Sequence, residues 1–597
     1  MWYVVKNVLF NKKNIFYFLI VISFLLAQTA CDILLPLMLT KLNGVIQEWA
    51  NPINNHTDSW VINRALIISG IMIGVCVVEL FCGVMGELLG TRLGIKLAGQ
   101  LRYNTYSKIQ KLSFADFDHF KSSTLLTTLT TDIQAIQNAF VFIFRIGFRS
   151  LFLYFGGIIG VVAIVFTQET ISSSSWLLPT IMVAISLSLF VILGFIMFKA
   201  TKYHRLAKFA TDDVNSSIQE NILGVRVVKS FNLQEKQIAK FDIINERMRK
   251  ITTKSFVISM WVFPIINFAL TATIVIILWV GTTNQSISIT NVSTLMSITT
   301  LVLIGMMLFI NVILLVSMAI GSANRIKNIL QYKPTLTFVK DGKKIENNTV
   351  EFKDVSFRYH ETSDYVLKNI NFKIKENETI GIIGGTGAGK STLVNLIARM
   401  YDIKTGEILV SNHNVKEIDE VSLRSKIALS PQKVTLFSGT IASNLRFGKE
   451  NATIEEMTEA AKAAQAYDFI MQKENGFDSV VEQRGSNFSG GQKQRLSIAR
   501  ALIMKPKILI LDSSTSALDM ITEKAVNDYI KSSNSDRTTL IVSQRISGVK
   551  DADRIFVLDK GEIVGIGSHK ELLKNCSQYY EIALSQMGEE GVQNEMK

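Results

Sequence analysis

A glycine-rich loop of the kind that surrounds nucleotide phosphates lies in the second half of the chain. Residues 379–392 read TIGIIGGTGAGKST, in which an apolar strand pattern precedes the glycines and a helical pattern follows them. Backbone N–H groups of such a loop bind phosphate oxygens, its lysine brings a positive charge to the β and γ phosphates, and its serine hydroxyl reaches Mg²⁺. The predicted ATP-binding residues of the loop are Gly384, Gly385, Thr386, Gly387, Ala388, Gly389, Lys390, Ser391 and Thr392.

A second element of such a site is a carboxylate at the tip of a buried strand. Residues 508–512 read ILILD, which predicts a strand that ends in Asp512 and supplies a Mg²⁺ ligand beside Ser391. An ATPase is expected to continue with a glutamate that orients the attacking water, but here the next residue is Ser513. Serine has neither the charge nor the pKa to accept a proton from water. The sequence therefore predicts nucleotide binding and calls hydrolysis into question.

The first half of the chain has the composition of a membrane protein. Apolar residues make up 48% of the chain and charged residues only 19%, which is below the roughly 25% of a typical soluble protein. A membrane-spanning helix needs about twenty apolar residues, and six stretches are long enough. They are residues 15–39, 61–89, 139–166, 176–198, 256–281 and 295–320.

The distribution of basic residues predicts the orientation of these spans. Lysines and arginines are frequent between the second and third spans and between the fourth and fifth, whereas residues 167–175 and 282–293 contain none. The positive-inside rule then predicts a multi-pass protein of the cell membrane, in contact with membrane lipid. Both termini and the nucleotide-binding domain are expected in the cytoplasm. These loops also account for the net charge of +13 without a nucleic-acid partner, because no basic patch is interleaved with aromatic residues.

The two basic loops are too long to be simple connections. Apolar residues recur at helical spacing through residues 91–138 and 199–254, so we expect the helices to continue beyond the bilayer. The predicted fold is a six-helix, all-α transmembrane domain with long cytoplasmic helix extensions, fused to an α/β phosphate-loop domain. The expected boundaries are residues 1–325 for the transmembrane domain, 326–347 for a linker and 348–597 for the nucleotide-binding domain.

Two carboxylates fall inside predicted spans. Asp32 and Glu79 are costly in a membrane unless they face a cavity or a partner. One interpretation is contact with a cationic substrate. The other, which the sequence favours, is a packed and neutralised structural pair or an inaccurately placed span boundary.

The stretch NFSGGQKQRLSIAR at residues 487–500, between the phosphate loop and the Asp512 strand, completes a recognisable pattern. The chain resembles the ATP-binding cassette (ABC) exporters along nearly its whole length. With one membrane domain and one cassette it resembles a half-transporter of the type I/IV exporter architecture. The resemblance implies an ATP-driven translocase for amphiphilic or drug-like substrates, with ATP and Mg²⁺ as cofactors.

The resemblance also implies roles for residues outside the phosphate loop. Tyr359 corresponds to the aromatic residue that stacks on adenine, and Gln432 to the glutamine that senses Mg²⁺ and the membrane domain. Asp519 corresponds to the aspartate of the loop that crosses the dimer interface. The signature would bind the γ-phosphate held by an opposite cassette. Its residues are Ser489, Gly490, Gly491 and Gln492.

At two positions the chain departs from the family pattern. The family has a glutamate where Ser513 stands and a histidine where Gln544 stands. Both departures affect the site built on this chain's own phosphate loop, while the intact signature serves the opposite site. The chain thus resembles the degenerate-site subunit of bacterial heterodimeric multidrug exporters. The predicted partner is a homologous half-transporter that has the glutamate and the histidine.

Two alternatives remain open at this point. The first is a homodimeric exporter that uses a displaced base, such as Asp519. The second is a nucleotide-gated or regulatory subunit that does not transport, because impaired hydrolysis also suits gating.

Overall fold

The computed structural model describes residues 3, 6, 11–50, 58–120, 122–166, 176–283, 289–513, 518–532 and 536–596. Contacts divide the chain into two compact units. The helical unit comprises Met1–Lys111 and Lys121–Lys333, and the α/β unit comprises Leu112–Phe120 and Pro334–Lys597. Residues 326–331 of the expected linker are helical and belong to the helical unit.

The first half of the described chain is helical, and six of its segments are long and apolar enough to cross a membrane. They overlap the six predicted spans, which confirms the predicted fold class, and they continue well beyond them. The helices are α1 Lys12–Ala50, α2 Asp58–Ile109, α3 Phe114–His119, α4 Ser122–Thr127, α5 Ile133–Phe142, α6 Phe148–Phe166, α7 Leu177–Leu223, α8 Val225–Ser230, α9 Gln234–Met260, α10 Val262–Thr283 and α11 Ile289–Gln331.

Two π-helical turns interrupt the third span, at Thr128–Asp132 and Ile143–Gly147. The fifth span is divided between α9 and α10 at Trp261. Pro264 lies in the first turn of α10, where its missing N–H removes no helical hydrogen bond. Small residues allow the helices of this unit to approach closely. A Cβ atom on Gly94 of α2 would lie 2.9 Å from the backbone nitrogen of Val141.

Charged side chains join the first three spans. Arg149 of α6 contacts Asp32 of α1 at 3.3 Å, and Arg145 of the π-helical turn contacts Glu87 of α2 at 3.1 Å. Glu79 lies within hydrogen-bonding reach of the Asp32 carboxyl group. The structure thus places Asp32 in an ion pair, as the favoured interpretation requires, but the neutralising partner is an arginine that the sequence reasoning overlooked.

The α/β unit contains a four-stranded antiparallel sheet in the order β2-β1-β4-β5 and a six-stranded sheet in the order β12-β11-β3-β10-β9-β6. In the larger sheet every strand except the edge strand β12 is parallel to its neighbours. The main strands are β1 Val350–Phe357, β2 Leu367–Ile374, β3 Thr379–Gly384, β4 Thr405–Val410, β5 His413–Asn414, β6 Ile427–Ser430, β9 Ile508–Asp512, β10 Thr538–Val542, β11 Arg554–Asp559 and β12 Glu562–Gly567; β7 Gly439–Thr440 and β8 Val480–Val481 form a separate pair.

The central strands β3, β9 and β10 are buried along their whole length, as expected for apolar runs that are covered on both faces. Several helices in this unit begin with a capping box. In each, the side chain of the Ser or Thr N-cap and that of the residue three positions later bond to each other's backbone N–H. The helices are α12 Lys390–Ile397, α13 Glu420–Lys426, α14 Ile441–Arg446, α15 Ile454–Ala463, α16 Tyr467–Met471, α17 Gly490–Leu502, α18 Met520–Ser532, α19 His569–Asn575 and α20 Ser577–Met596.

Candidate nucleotide site

Four neighbouring parallel strands bring the predicted site residues to one edge of the large sheet. Val542 at the end of β10 is in register with Ile382 of β3 and with Asp512 of β9, and Ser430 of β6 is in register with Leu511. The segments that follow these strands therefore begin side by side. Ligands of open α/β sheets bind outside the carboxyl ends of the strands.

The phosphate loop links β3 to α12 and needs glycine at both of its ends. Gly389 has a left-handed backbone (φ 99°), and a Cβ there would lie 2.7 Å from Leu367 Cδ2. A Cβ on Gly384 would lie 2.1 Å from the carbonyl oxygen of Leu558. The loop is open at Gly385 and Gly387, where an added Cβ would meet nothing within 4 Å. This open backbone, at the N-terminus of α12, is suited to an anion.

Lys390 is buried beneath the loop. Its Nζ donates to the carbonyl oxygens of Gly384 and Gly385, at 2.8 Å each. Burial lowers the pKa of this ammonium group, and the negative charge of Asp512 opposes the shift. Phosphate oxygens are charged acceptors and form stronger hydrogen bonds than neutral carbonyls. The position is therefore suited to a terminal phosphate.

Ser391 and Asp512 are in direct contact, although 121 positions separate them in sequence. The Ser391 hydroxyl donates to Asp512 Oδ1 at 3.0 Å, and only 5% of Asp512 is exposed. Burial raises the pKa of Asp512, while Ser391 and Lys390 act in the opposite direction. A hydroxyl and a carboxylate that share one buried position fit Mg²⁺, which prefers oxygen ligands and would itself favour the ionised carboxylate.

Tyr359 also lies next to the phosphate loop. Its hydroxyl is 2.9 Å from the Thr392 hydroxyl, and its ring meets that of Tyr401 edge-on with centroids 5.1 Å apart. The Tyr401 hydroxyl donates to Asp118 at 3.2 Å, so the segment Leu112–Phe120 helps to position this aromatic group. The ring of Tyr359 is 40% exposed and can stack on a base. Sequence reasoning missed Tyr401, for which no local signal exists.

Ser513 is the first residue after β9, and Gln544 is the second residue after β10. Ser513 is buried in a left-handed backbone conformation (φ 48°), and its N–H donates to the carbonyl oxygen of Val542 at 2.9 Å. Gln544 is exposed at the end of β10. Neither side chain carries a charge or titrates near neutral pH. These two positions beyond the ends of β9 and β10 therefore hold side chains without acid or base function.

The remaining predicted residues lie near the surface of the α/β unit. Gln432 is exposed two residues beyond β6. Asp519 caps α18, because its carboxylate accepts from the Thr522 N–H at 3.0 Å and from the Thr522 hydroxyl at 2.8 Å. These hydrogen bonds lower the pKa of Asp519.

The signature residues begin α17. Ser489 is the N-cap, its N–H donates to Gln492 Oε1 at 3.0 Å, and its hydroxyl accepts from the Gln492 N–H at 3.3 Å. Ser489 and Gly490 are exposed, which leaves the positive end of the helix open to an anion from outside the chain.

Comparison with known proteins agrees with this geometry. The family model described as "ABC transporter transmembrane region" matches residues 18–309, and the one described as "ABC transporter" matches residues 367–516. The Bacillus subtilis (strain 168) ABC transporter ATP-binding protein YfiB is 33% identical over 585 residues, 96% of each chain. The chain belongs to the ABC transporter family. Members of this family are ATP-driven transporters, and the expected resemblance is confirmed.

Two further similarities concern the type of ABC transporter. An ATP-dependent lipid A-core flippase of Syntrophus aciditrophicus (strain SB) is 30% identical over 525 residues, 86% of this chain and 84% of the flippase. A solved structure of a bacterial Atm1-family ABC exporter with ATP bound superimposes with a TM-score of 0.81 at 21% identity, covering 96% of this chain and 99% of that one. The chain therefore has an ABC exporter fold.

Proposed function

We propose that the chain is one subunit of a heterodimeric ABC exporter and that its own nucleotide site binds MgATP but hydrolyses it slowly. The observation that carries the proposal is the contrast at the ends of the neighbouring strands β9 and β10. The binding contacts of Lys390, Ser391 and Asp512 are formed. The adjacent positions, Ser513 and Gln544, have neutral side chains.

Each residue of the site contributes to binding. Tyr359 stacks on the adenine, the backbone N–H groups of residues 384–389 surround the phosphates, and Lys390 adds a positive charge beside the terminal phosphate. Ser391, Gln432 and Asp512 would hold Mg²⁺, and Gln544 would donate a hydrogen bond to the γ-phosphate. Bound Mg²⁺ supplies charge that neutralises the phosphates.

The slow step would be the activation of water. A positioned general base typically contributes about 10²- to 10⁴-fold to a rate, and Ser513 cannot act as one. Asp519 is a poor substitute, because Thr522 occupies both of its oxygens and lowers its pKa. A base whose pKa is depressed accepts protons weakly. The displaced-base alternative is therefore disfavoured.

The intact signature, together with the altered positions in this chain's own site, supports a heterodimer. Ser489 and Gly490 are exposed at an intact helix N-terminus, so this chain can complete a site on a second subunit. A partner that has the missing glutamate and histidine would then hydrolyse ATP at that site. ATP held by this chain would act mainly as a ligand that keeps the two cassettes together.

An amphiphilic substrate is favoured by two observations. The helical unit has an apolar cavity of about 490 Å³ between the third, fourth and sixth spans, with Thr201 and Ser317 among its few polar side chains. A relative over most of the chain is a lipid A-core flippase, which suggests a lipid-like molecule for this chain as well. We place the α/β unit in the cytoplasm, because the basic loops and the positive-inside rule favour that side.

The test is the ATPase activity of the purified chain by itself and together with the partner subunit. We expect the isolated chain to bind MgATP and to show almost no turnover, and the assembled pair to hydrolyse ATP. Replacing the partner's glutamate should abolish that activity. Turnover of several per second by the isolated chain would contradict the heterodimer. ATP-driven accumulation in vesicles, as opposed to passive current, separates an exporter from a nucleotide-gated subunit.

A further inference from the structure

The C-terminal helix α20 holds the loop that carries Gln544. The side-chain amide of Gln586 bridges this loop: its Oε1 accepts from the Ile546 N–H at 2.9 Å, and its Nε2 donates to the Gln544 carbonyl oxygen at 2.8 Å. One side chain from the end of the protein thus satisfies two backbone groups on either side of Arg545. Backbone groups beyond the end of a strand have no hydrogen-bond partner on a neighbouring strand. The two hydrogen bonds from Gln586 therefore stabilise the backbone conformation of this loop.

A second contact joins the last turns of α20 to the residues that follow the same loop. Glu595 Oε1 lies 3.0 Å from Lys550 Nζ, two residues beyond the short 3₁₀ turn Ile546–Gly548. Between the two contacts the helix is interrupted at Gly588, whose backbone (φ 70°, ψ 174°) is outside the helical region. A positive φ suits glycine and lets the last turns change direction. Val592, in these last turns, is almost fully buried.

The first half of α20 is anchored independently of the loop. Tyr579 is fully buried, and its hydroxyl is 2.7 Å from His569 Nδ1 in the preceding helix α19. Ala583, one turn further on, is also fully buried. Gln586 therefore projects from a fixed helix and acts as a rigid support for the loop.

We propose that Gln586 is a positioning residue that directs Gln544 towards the terminal phosphate. The inference rests on the proposed function, since it needs ATP in this chain's own site with Gln544 at the γ-phosphate. The Gln544 side chain is exposed, so its direction depends on the backbone that Gln586 holds. Gln544 can contact a γ-phosphate only when the bound nucleotide has one. The two hydrogen bonds of Gln586 to the Gln544 loop should therefore favour binding of ATP over ADP.

The experiment uses the purified full-length chain and compares Gln586→Ala with Gln593→Ala, which truncates an exposed glutamine of the same helix. Two quantities are measured: hydrogen exchange of the peptide that contains Gln544 and Ile546, and the dissociation constants for MgATP and MgADP. Gln586→Ala should exchange faster in that peptide and should reduce the preference for ATP over ADP by roughly three- to tenfold, as expected for the loss of one orienting hydrogen bond. Gln593→Ala should match the wild-type chain in both.

A conservative variant separates positioning from general support. Gln586→Glu keeps the acceptor for the Ile546 N–H but loses the donor to Gln544, so we expect an ATP preference below that of the wild-type chain. If Gln586→Ala exchanges faster but keeps the ATP preference of the wild-type chain, Gln586 does not position Gln544. If its hydrogen exchange is unchanged, Gln586 does not stabilise the loop at all. Equal MgATP and MgADP affinities of Gln586→Ala and Gln593→Ala would contradict only the positioning role. A wild-type chain that binds no MgATP would instead overturn the proposed function.

Discussion

The ion pair between Asp32 and Arg149 offers a sharp test of the membrane half. Its atoms lie 3.3 Å apart, with side-chain exposures of 10% for Asp32 and 28% for Arg149. Removing one partner of a buried pair leaves a charge without compensation, which usually costs about 3–5 kcal/mol. Arg149 is partly exposed and Glu79 lies close enough to offset part of the loss. We therefore expect Asp32→Asn to cost about 2–3 kcal/mol, below the usual range.

The assay is thermal unfolding of the detergent-purified chain. At about 1.5 °C per kcal/mol for the more than 300 residues of the helical unit, Asp32→Asn should lower the apparent Tm by about 3–5 °C. The triple variant Asp32→Asn, Glu79→Gln, Arg149→Gln removes all three charges of this cluster and should recover most of the loss, because no unpaired charge remains. Arg249→Gln is a matched control. It breaks an exposed pair with Glu246 on α9 and should leave the Tm unchanged.

A triple variant as unstable as Asp32→Asn would contradict an electrostatic origin of the loss, which would then come from packing. Equal Tm values for Asp32→Asn and Arg249→Gln would show that the pair in the span stabilises the chain no more than an exposed pair does.

Three further predictions concern the α/β unit. In the assembled pair whose partner glutamate has been replaced, Ser513→Glu and Gln544→His together should restore measurable ATP turnover, whereas Ser513→Ala should not; equal rates in a phosphate-release assay would contradict the proposed role of these two positions. Lys390→Ala should weaken MgATP binding at least tenfold, as measured by calorimetry, because a charge-assisted hydrogen bond to phosphate is lost. An unchanged affinity would show that this loop does not bind the nucleotide. Glu378 is half-buried, which by itself raises its pKa, but its hydrogen bonds with Arg554 and the Lys375 N–H prevail and lower it. Its stabilising effect is present above about pH 4.3, the unfolded value, and is lost as the pH falls through the lower folded pKa, so the Tm difference between wild type and Glu378→Gln should shrink on acidification.

The sequence could predict features that are encoded locally. The glycine loop is recognisable because Gly384 and Gly389 have no room for a Cβ, and the buried strand before Asp512 is visible as an unbroken apolar run. The six spans follow from mean hydropathy. The same averaging concealed Arg145 and Arg149, because two charges in a long apolar stretch hardly alter the mean.

Contacts between distant parts of the chain could not be predicted in this way. Tyr401 touches Asp118 across 283 positions, and Gln586 reaches Gln544 across 42. Neither contact has a spacing or a composition that marks it, since each depends on how the helices and the sheet are assembled. The Ser391–Asp512 contact was predictable despite its separation only because each residue belongs to a motif with a known place at the sheet edge.

Binding and water activation occupy separate parts of the backbone, which explains how one can be lost without the other. Lys390 and Ser391 are held by α12 and the loop before it, whereas Ser513 is held by its own N–H bond to Val542. The left-handed backbone at Ser513 costs about 1 kcal/mol for any residue other than glycine, so a glutamate would meet the same cost and point in the same direction. The side chain alone therefore decides the chemistry at this position. A chain in which the backbone is retained and only this side chain is changed should therefore still bind ATP, as the proposed function requires.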